Sequence, residues 1–516
     1  MISEQSPFRG SILAVSTGIL GKILGFSATL LIASYLGATN ETDIVFFLYN
    51  IIFILVSFFS CFNNNVLVPK LIESGGQKNI KRCSQTLLIG LLTGLIPLLL
   101  ALIFSWYFAA EVISVLSQFN PPLTGNIEFI IQLMSPLLVL LFLNDFLVNI
   151  MQARGNFTFI NSVSITQGLS LIICVGLGHR ILNSASIPLG FLVSHLIVFC
   201  ILSFILKDWF KRLSFVIPSL AEIKSFLGLA LPVLTLQISQ IFILFLPDYL
   251  ASGMTSGTLT AILNARKIFD LLPTLLIYPI IAVGYTRLCT LAASKKNEDF
   301  AALCLSLNFF LISLILPLSI YISIYAEPII QLLFNHGKYS EDALSITITS
   351  LQWFPLGAFA LVTHSLAGRA LVATQDKKAL YAYAGSLFIG GLTYTMVLIL
   401  LTKHFGFAGI AMGTALYQGC FLAILGYFLI HKYIGKFSIF NLVKRYVVVT
   451  SVSAPALMIT ILALPPTGNP SWTQIPLSFS FMVLVLGLTH ASLKTDSYRF
   501  VRDRIDLFLT RRAAKG

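Results

Sequence analysis

Four of the charged side chains inside otherwise apolar stretches have the strongest potential for chemistry. Arg266, Lys267 and Asp270 fall within one such stretch, and Lys22 falls within another near the N-terminus. In a helix, Asp270 lies one turn after both Arg266 and Lys267, so its carboxylate can pair with either base but cannot neutralise both. Together the four side chains keep a positive balance, which suits a dianionic group such as a diphosphate.

The cost of placing charge inside a membrane favours a functional role for these residues. A charged side chain at the bilayer centre costs roughly 2.5–3.5 kcal/mol on insertion scales, so such residues usually face a cavity. At a rise of about 1.5 Å per residue, Arg266 and Lys22 lie about 15–17 Å from the start of their stretches, near the membrane midplane. The alternative is that the stretches begin elsewhere and that the bases extend to a polar interface.

Asp43 and Asn50 complete the candidate substrate-binding set. Asp43 lies at the predicted outer turn between the first two spans, and Asn50 lies two turns deeper in the second span. Each residue either lines a wet cavity or joins helices by hydrogen bonds, and for each taken singly the second interpretation is favoured.

No arrangement of residues typical of catalysis is found in the sequence. It contains no Gly-rich phosphate loop, no nucleophile elbow and no HExxH pair. The predicted outer loops are too short for a catalytic domain. We therefore expect a protein that is not an enzyme and that uses no cofactor and no metal ion.

The elements that position these residues are membrane-spanning helices. Hydrophobic side chains make up 57% of the 516 residues and charged ones 10%, whereas a soluble chain carries roughly 25% charged residues. A helix that crosses the bilayer needs about 20 mostly apolar residues. The sequence therefore predicts an all-α integral membrane protein with about fourteen transmembrane helices. These spans lie near residues 11–37, 44–68, 84–109, 127–151, 157–178, 186–206, 226–249, 257–286, 300–325, 344–368, 378–402, 407–431, 446–464 and 472–492.

The distribution of basic residues predicts the orientation of the chain. With a cytoplasmic N-terminus, 27 of the 33 Lys and Arg residues fall on the inner side and three fall on the outer side. Inner loops of membrane proteins are enriched in Lys and Arg in this way. The bias predicts that both termini are cytoplasmic. It also accounts for the net charge of +13 without a nucleic-acid partner, so the expected surroundings are membrane lipids.

The spans fall into two similar halves, the first six and the next six, offset by about 215 residues. An even number of spans in each half gives both halves the same orientation. We therefore predict an N-terminal six-helix lobe at residues 1–212 and a C-terminal six-helix lobe at 213–435. Two extra transmembrane helices at 436–493 and a basic cytoplasmic tail at 494–516 follow.

Several motifs resemble the MurJ/MviN family of lipid II flippases. The first span and its outer turn carry Gly21-Lys22-Ile23-Leu24-Gly25-Phe26, Leu36-Gly37-Ala38 and Thr42-Asp43. The most specific match is Leu333-Phe334-Asn335-His336-Gly337-Lys338-Tyr339-Ser340 with Asp342-Ala343. Further matches are Val68-Pro69, Ser239-Gln240-Ile241 and residues 406–413. The resemblance covers residues 10–435 and implies the two-lobed fold of the multidrug/oligosaccharidyl-lipid/polysaccharide exporter superfamily.

The resemblance implies a flippase of the bacterial cytoplasmic (inner) membrane, expected as a monomer. Its substrate would be a polyprenyl-diphosphate-linked peptidoglycan precursor, lipid II, carried from the inner to the outer leaflet. In that family an arginine usually stands at the position of Lys22, and Lys267 with Asp270 fits the family's arginine–glutamate pair. Two other family arginines have no counterpart, because Ala28 replaces one and residues 51–57 contain none.

These departures keep other functions open. A flippase for another polyprenyl-diphosphate-linked oligosaccharide, of O-antigen or exopolysaccharide type, is the main alternative. A membrane glycan polymerase or ligase is disfavoured by the short outer loops. A non-transporting scaffold would not need charged residues at the membrane midplane.

Overall fold

A computed structural model describes most of the chain. The described residues are 7–71, 80–119, 125–154, 156, 159, 161–211, 216–220, 222–224, 226, 242–374, 376–433, 439–466 and 473–492. The predicted basic tail at 494–516 lies outside the described residues. So do residues 227–241, which hold most of the predicted seventh span and the Ser239-Gln240-Ile241 motif.

The chain divides into two compact units. Unit 1 comprises Met1–Ala261 and His336–Ala343, and unit 2 comprises Ile262–Asn335 and Leu344–Gly516. Unit 1 reaches well beyond residue 212, where the first lobe was predicted to end. Compactness and an internal sequence repeat are different properties, so the lobe boundaries stay a prediction.

Unit 1 is built from long apolar helices. Its helices are α1 (Pro7–Leu36), α2 (Asn40–Phe62), α3 (Ile80–Tyr107), α4 (Ala109–Leu116), α5 (Gly125–Met134), α6 (Leu137–Ala153), α7 (Ser162–Leu182), α8 (Ser186–Phe210) and α9 (Phe242–Ser252). The first turn of the next helix, α10 (Thr258–Phe269), also belongs to this unit.

Unit 2 contains the rest of α10 and the remaining helices. These are α11 (Tyr278–Ala293), α12 (Asn297–Ile324), α13 (Ala326–Phe334), α14 (Glu341–Trp353), α15 (Ala358–Thr374), α16 (Lys377–Phe405), α17 (Phe407–Leu416), α18 (Ala423–Tyr433), α19 (Ile439–Ala463) and α20 (Gln474–Ser492). Buried tyrosines fix α20 to α12, because the Tyr321 hydroxyl lies 2.7 Å from the Ser478 hydroxyl.

The predicted all-α membrane fold is confirmed. Across the described residues we find no strand and nine helical stretches that are long and apolar enough to cross a membrane. Three shorter apolar helices, at Phe242–Ser252, Ser453–Ala463 and Gln474–Gly487, accompany them. One of the nine stretches, Ser162–Phe210, contains both α7 and α8 and therefore covers two predicted spans. The total of about fourteen crossings stays a prediction.

Large apolar side chains cover the outer faces of these helices. On α7, Leu177 is 79% exposed and Ile181 is 84% exposed, and on α3 Leu100 is 64% exposed. A soluble protein rarely exposes such extended apolar surface to water. Lipid tails are as apolar as leucine and cover it without cost, so the exposed faces are typical of an integral membrane protein.

Close packing of α1 against α7 fixes the helix that carries Lys22. A Cβ atom on Gly21 would lie 2.8 Å from the Ser164 Cβ, and one on Gly168 would lie 2.6 Å from the Leu24 Cβ. Only glycine permits backbones to approach this closely. The glycines beside Lys22 therefore position this part of α1 directly against its neighbour.

In the described part of the chain, three π-helical turns interrupt the spans, at Asn63–Leu67, Pro273–Ile277 and Tyr417–Leu422. At the second of these, Pro273 has no backbone N–H to donate, so regular α-helical hydrogen bonding cannot continue through it. Single π-helical turns are frequently found at functional sites. The second turn begins three residues after Asp270, directly beyond the predicted basic cluster.

Candidate substrate-binding site

Arg266, Lys267 and Asp270 lie together at the end of α10. The two bases occupy the last turn of this helix and are half-buried. Asp270 follows it, is half-buried as well, and donates its backbone N–H to the Arg266 carbonyl at 2.8 Å. Two bases with one acid keep a positive balance. This segment is therefore a favourable place to hold an anion.

Arg369 is a base near this segment that sequence reasoning assigned to an inner loop. Its guanidinium Cζ lies 5.8 Å from the centre of the Tyr285 ring, which is a cation–π distance. Asp270 and Arg369 both act electrostatically on the Tyr278 hydroxyl, so they share one neighbourhood in unit 2. The predicted span ended at residue 368, one residue before Arg369. In the structure, α15 continues past Arg369 to Thr374.

Lys22 lies on α1 in unit 1. Its side chain is exposed. The preceding residue, Gly21, faces α7, and each residue of a helix is rotated by about 100° from the last. Lys22 is therefore turned out of the α1–α7 interface, which leaves its ammonium group available for an anion.

Asp43 is almost fully buried, with 2% of its surface exposed, and it caps α10. Its two carboxylate oxygens accept backbone N–H bonds of 2.7 Å from Gly257 and from Thr260. The first backbone N–H groups of a helix have no partner within the helix, and a carboxylate there satisfies them. The sequence could not reveal this contact, since the partners lie more than 200 residues away in the chain.

Asn50 lies seven residues after Asp43 and therefore on the same face of α2. Its side-chain amide donates to the Asp248 carboxylate at 2.7 Å. Asp248 is itself buried, with 4% of its surface exposed. Asp43 and Asn50 thus both bind protein atoms between residues 248 and 260 in this conformation.

A further contact joins the end of α1 to the segment after α13. The Lys338 backbone N–H donates to the Ser34 carbonyl at 2.9 Å. Gly337 has a φ of +72°, and a Cβ atom on it would lie 2.2 Å from the Ser34 carbonyl oxygen. This close approach explains the glycine in the Asn335-His336-Gly337 motif. We call the Ser34–Lys338, Asp43–Gly257/Thr260 and Asn50–Asp248 contacts the outer contact cluster, since all lie at the predicted outer side.

The six predicted site residues are divided between the two units. Lys22, Asp43 and Asn50 belong to unit 1, whereas Arg266, Lys267 and Asp270 belong to unit 2. The structure brings together the members of the second group in one segment. It places Asp43 and Asn50 on one helix face, and the joint action of all six residues stays a prediction.

Across the described residues, an all-helical fold with several stretches long and apolar enough to cross a membrane is that of a multi-pass membrane protein. A sequence model of the family described as lipid II flippase MurJ matches residues 32–481. The chain therefore belongs to the lipid II flippase MurJ family, and the resemblance found in its motifs is confirmed. The match begins after Lys22.

Individual relatives agree with this assignment. A probable lipid II flippase MurJ of Buchnera aphidicola subsp. Acyrthosiphon pisum is 26% identical, over 77% of this chain and 79% of the relative. One from Buchnera aphidicola subsp. Baizongia pistaciae is 23% identical, over 77% and 78%.

Two solved structures share the fold. A lipid II flippase MurJ in an inward closed conformation has a TM-score of 0.79 at 19% identity, covering 96% of this chain and all of that one. An inward-facing multidrug transporter of the MATE family has a TM-score of 0.66 at 13% identity, covering 81% of this chain and 97% of that one. Both therefore confirm the fold, and the fold alone.

Proposed function

We propose that this protein carries lipid II from the inner to the outer leaflet of the bacterial cytoplasmic membrane by alternating access. The family match over residues 32–481 is the observation that carries this proposal. The protein would act as a monomer among membrane lipids, with both termini in the cytoplasm. It would need no cofactor, no nucleic acid and no catalytic step.

The diphosphate of the cargo would bind to the bases of the predicted set. Lys22, Arg266 and Lys267 would provide three positive charges, and the diphosphate carries two negative charges. Asp270 would keep the bases of α10 oriented. Arginine and lysine both bind phosphate oxygens, arginine with a planar fork and lysine as a point charge. Arg369 lies near Asp270 in unit 2 and would add a further contact.

The outer contact cluster would form the closed outer side during the cycle. Its hydrogen bonds are short, and those of Asp43 are almost fully buried. Opening toward the outside would require that these bonds break. The Asp43 carboxylate and the Asn50 amide would then become available to the cargo, so both residues remain in the proposed binding set.

The membrane potential supports transport in the outward direction. In a cell that is negative inside, moving one negative charge outward is favourable by roughly 2.3 kcal/mol per 100 mV. An anionic headgroup that crosses the whole field would gain this free energy for each charge. The cycle would then need no ATP-driven domain.

The identity of the cargo is tested by depleting the protein in its own host and measuring lipid II in each leaflet. We expect lipid II to disappear from the outer leaflet and to accumulate at the inner one. Unchanged lipid II, together with another polyprenyl-diphosphate-linked glycan trapped inside, would reject lipid II as the cargo and assign the alternative.

A further inference from the structure

A cavity in unit 1 contains a carboxylate that the proposed function does not use. The cavity has a volume of about 350 Å³ and lies between α2 with its following π-helical turn and α6. Its polar lining consists chiefly of six side chains. These are Ser57, Ser60, Asn64, Asp145, Asn149 and Gln152.

The spacing of these residues places them on two facing helix surfaces. Asp145, Asn149 and Gln152 follow one another at intervals of four and three residues, which is one face of α6. Ser57, Ser60 and Asn64 are spaced in the same way along the other wall. Two polar faces inside a membrane protein that is otherwise apolar therefore meet across one cavity.

Asp145 is the only charged side chain that lines the cavity within the described part of the chain. The Ser60 hydroxyl lies beside its carboxylate, yet the Ser60 oxygen is buried and makes no hydrogen bond of good geometry. A carboxylate in a medium of low dielectric constant either takes up a proton or stays ionised beside a compensating positive charge. No Lys, Arg or His among the described lining residues supplies it.

The set of ligands indicates which kind of cation would fit. Carboxylate, amide and hydroxyl oxygens are hard ligands that suit hard cations rather than transition metals. The described residues contain no group of three His, Cys, Asp or Glu side chains that could hold a metal. A single carboxylate neutralises one positive charge, whereas a divalent ion would leave an excess charge in the cavity.

A π-helical turn forms part of the cavity wall. Asn64 lies within the turn at Asn63–Leu67, where the helix departs from regular α-helical bonding. Interrupted helices supply backbone carbonyls to Na⁺ in membrane transporters. The volume also leaves room for water molecules, each of which occupies about 30 Å³ in the liquid.

We propose that this cavity is a binding site for a monovalent metal cation, with the Asp145 carboxylate as its charged ligand and the surrounding hydroxyl and amide oxygens as neutral ligands. The site shares no residue with the proposed diphosphate-binding set. The test of the cation site needs no lipid substrate. The cation site can therefore be rejected while the proposed transport of lipid II stands, and the transport can be rejected while the cation site stands.

Binding of radioactive sodium to the purified full chain in detergent tests the proposal, with choline chloride to keep the ionic strength constant. We expect saturable binding to the wild type and a loss of affinity of about tenfold or more in Asp145→Asn. Asp208→Asn is the matched control, because Asp208 is an exposed acid whose side chain is 71% accessible. It should bind sodium as the wild type does.

A second variant guards against a failure of Asp145→Asn to fold. Ser60→Ala keeps the carboxylate and removes one neutral ligand, so we expect a smaller loss of affinity, with the elution profile on size exclusion unchanged. Absence of saturable sodium binding in the wild type would overturn the proposal. Wild-type affinity in a folded Asp145→Asn protein would overturn it as well.

Discussion

Asp43 and Asp145 are carboxylates on two helices of the same compact unit, but their surroundings differ. Asp43 is 2% exposed and accepts two backbone N–H bonds of 2.7 Å. Asp145 lines a cavity whose other described polar groups are neutral side chains. A carboxylate that protein donors satisfy stabilises the fold, whereas one that faces a cavity is available to a ligand. Partners, rather than burial alone, therefore decide whether an acid is available to a ligand in this conformation.

The largest effect is expected for Asp43→Ala. This change leaves the Gly257 and Thr260 backbone N–H groups without acceptors at a buried site. Each such loss costs about 1–3 kcal/mol, so the protein should lose about 2–6 kcal/mol of stability. Thermal unfolding in detergent measures this loss. Glu298→Ala is the control, because Glu298 is an exposed acid in the first turn of α12.

One result would contradict the prediction for Asp43. If Asp43→Ala melts at the same temperature as the wild type, the capping bonds do not stabilise the protein. The statement that Asp43, unlike Asp145, stabilises the fold would then be wrong.

A smaller effect is expected for Asn50→Ala, which removes the amide donor to the buried Asp248 carboxylate. Hydrogen bonds to charged groups contribute about 1.5–3 kcal/mol. A double-mutant cycle with Asp248→Ala measures the coupling directly, since it separates the bond from other effects of each change. A coupling energy near zero would show that the Asn50–Asp248 hydrogen bond does not stabilise the protein.

The smallest effect on stability is expected for Asp145→Asn in sodium-free buffer. Replacing a charge that protein groups do not compensate by a neutral residue of the same shape is often neutral or stabilising. The melting temperature should equal or exceed that of the wild type. A loss as large as that of Asp43→Ala would place Asp145 among the structural acids instead.

The sequence predicted the fold class well, because the length of the apolar stretches follows directly from the thickness of the bilayer. The orientation inferred from Lys and Arg stays a prediction. The family was likewise predicted from local motifs such as Asn335-His336-Gly337. In the structure, Gly337 lies too close to Ser34 for a residue with a side chain, which explains why the motif contains a glycine. The number of crossings stays a prediction, because one continuous helical stretch can contain two predicted membrane spans, as Ser162–Phe210 does.

The individual site residues were harder to predict. Asp43 and Asn50 bond to residues about 200 positions away, and no local pattern encodes such contacts. Arg369 was assigned to a loop because the end of α15 was placed too early. The cavity beside Asp145 depends on the pairing of α2 with α6, which the sequence of either helix alone does not reveal.

The proposed diphosphate site is tested most directly by complementation. Cells depleted of the protein would receive either the Arg266→Ala/Lys267→Ala variant or the Lys295→Ala/Lys296→Ala control, and lipid II at the outer leaflet would be measured. The control matches the change in charge and spacing, because Lys295 and Lys296 are adjacent, exposed bases between α11 and α12. We expect the control to restore outward lipid II and the first variant, present at the same level in the membrane, to leave it inside. Normal outward lipid II with Arg266→Ala/Lys267→Ala would contradict the proposed site.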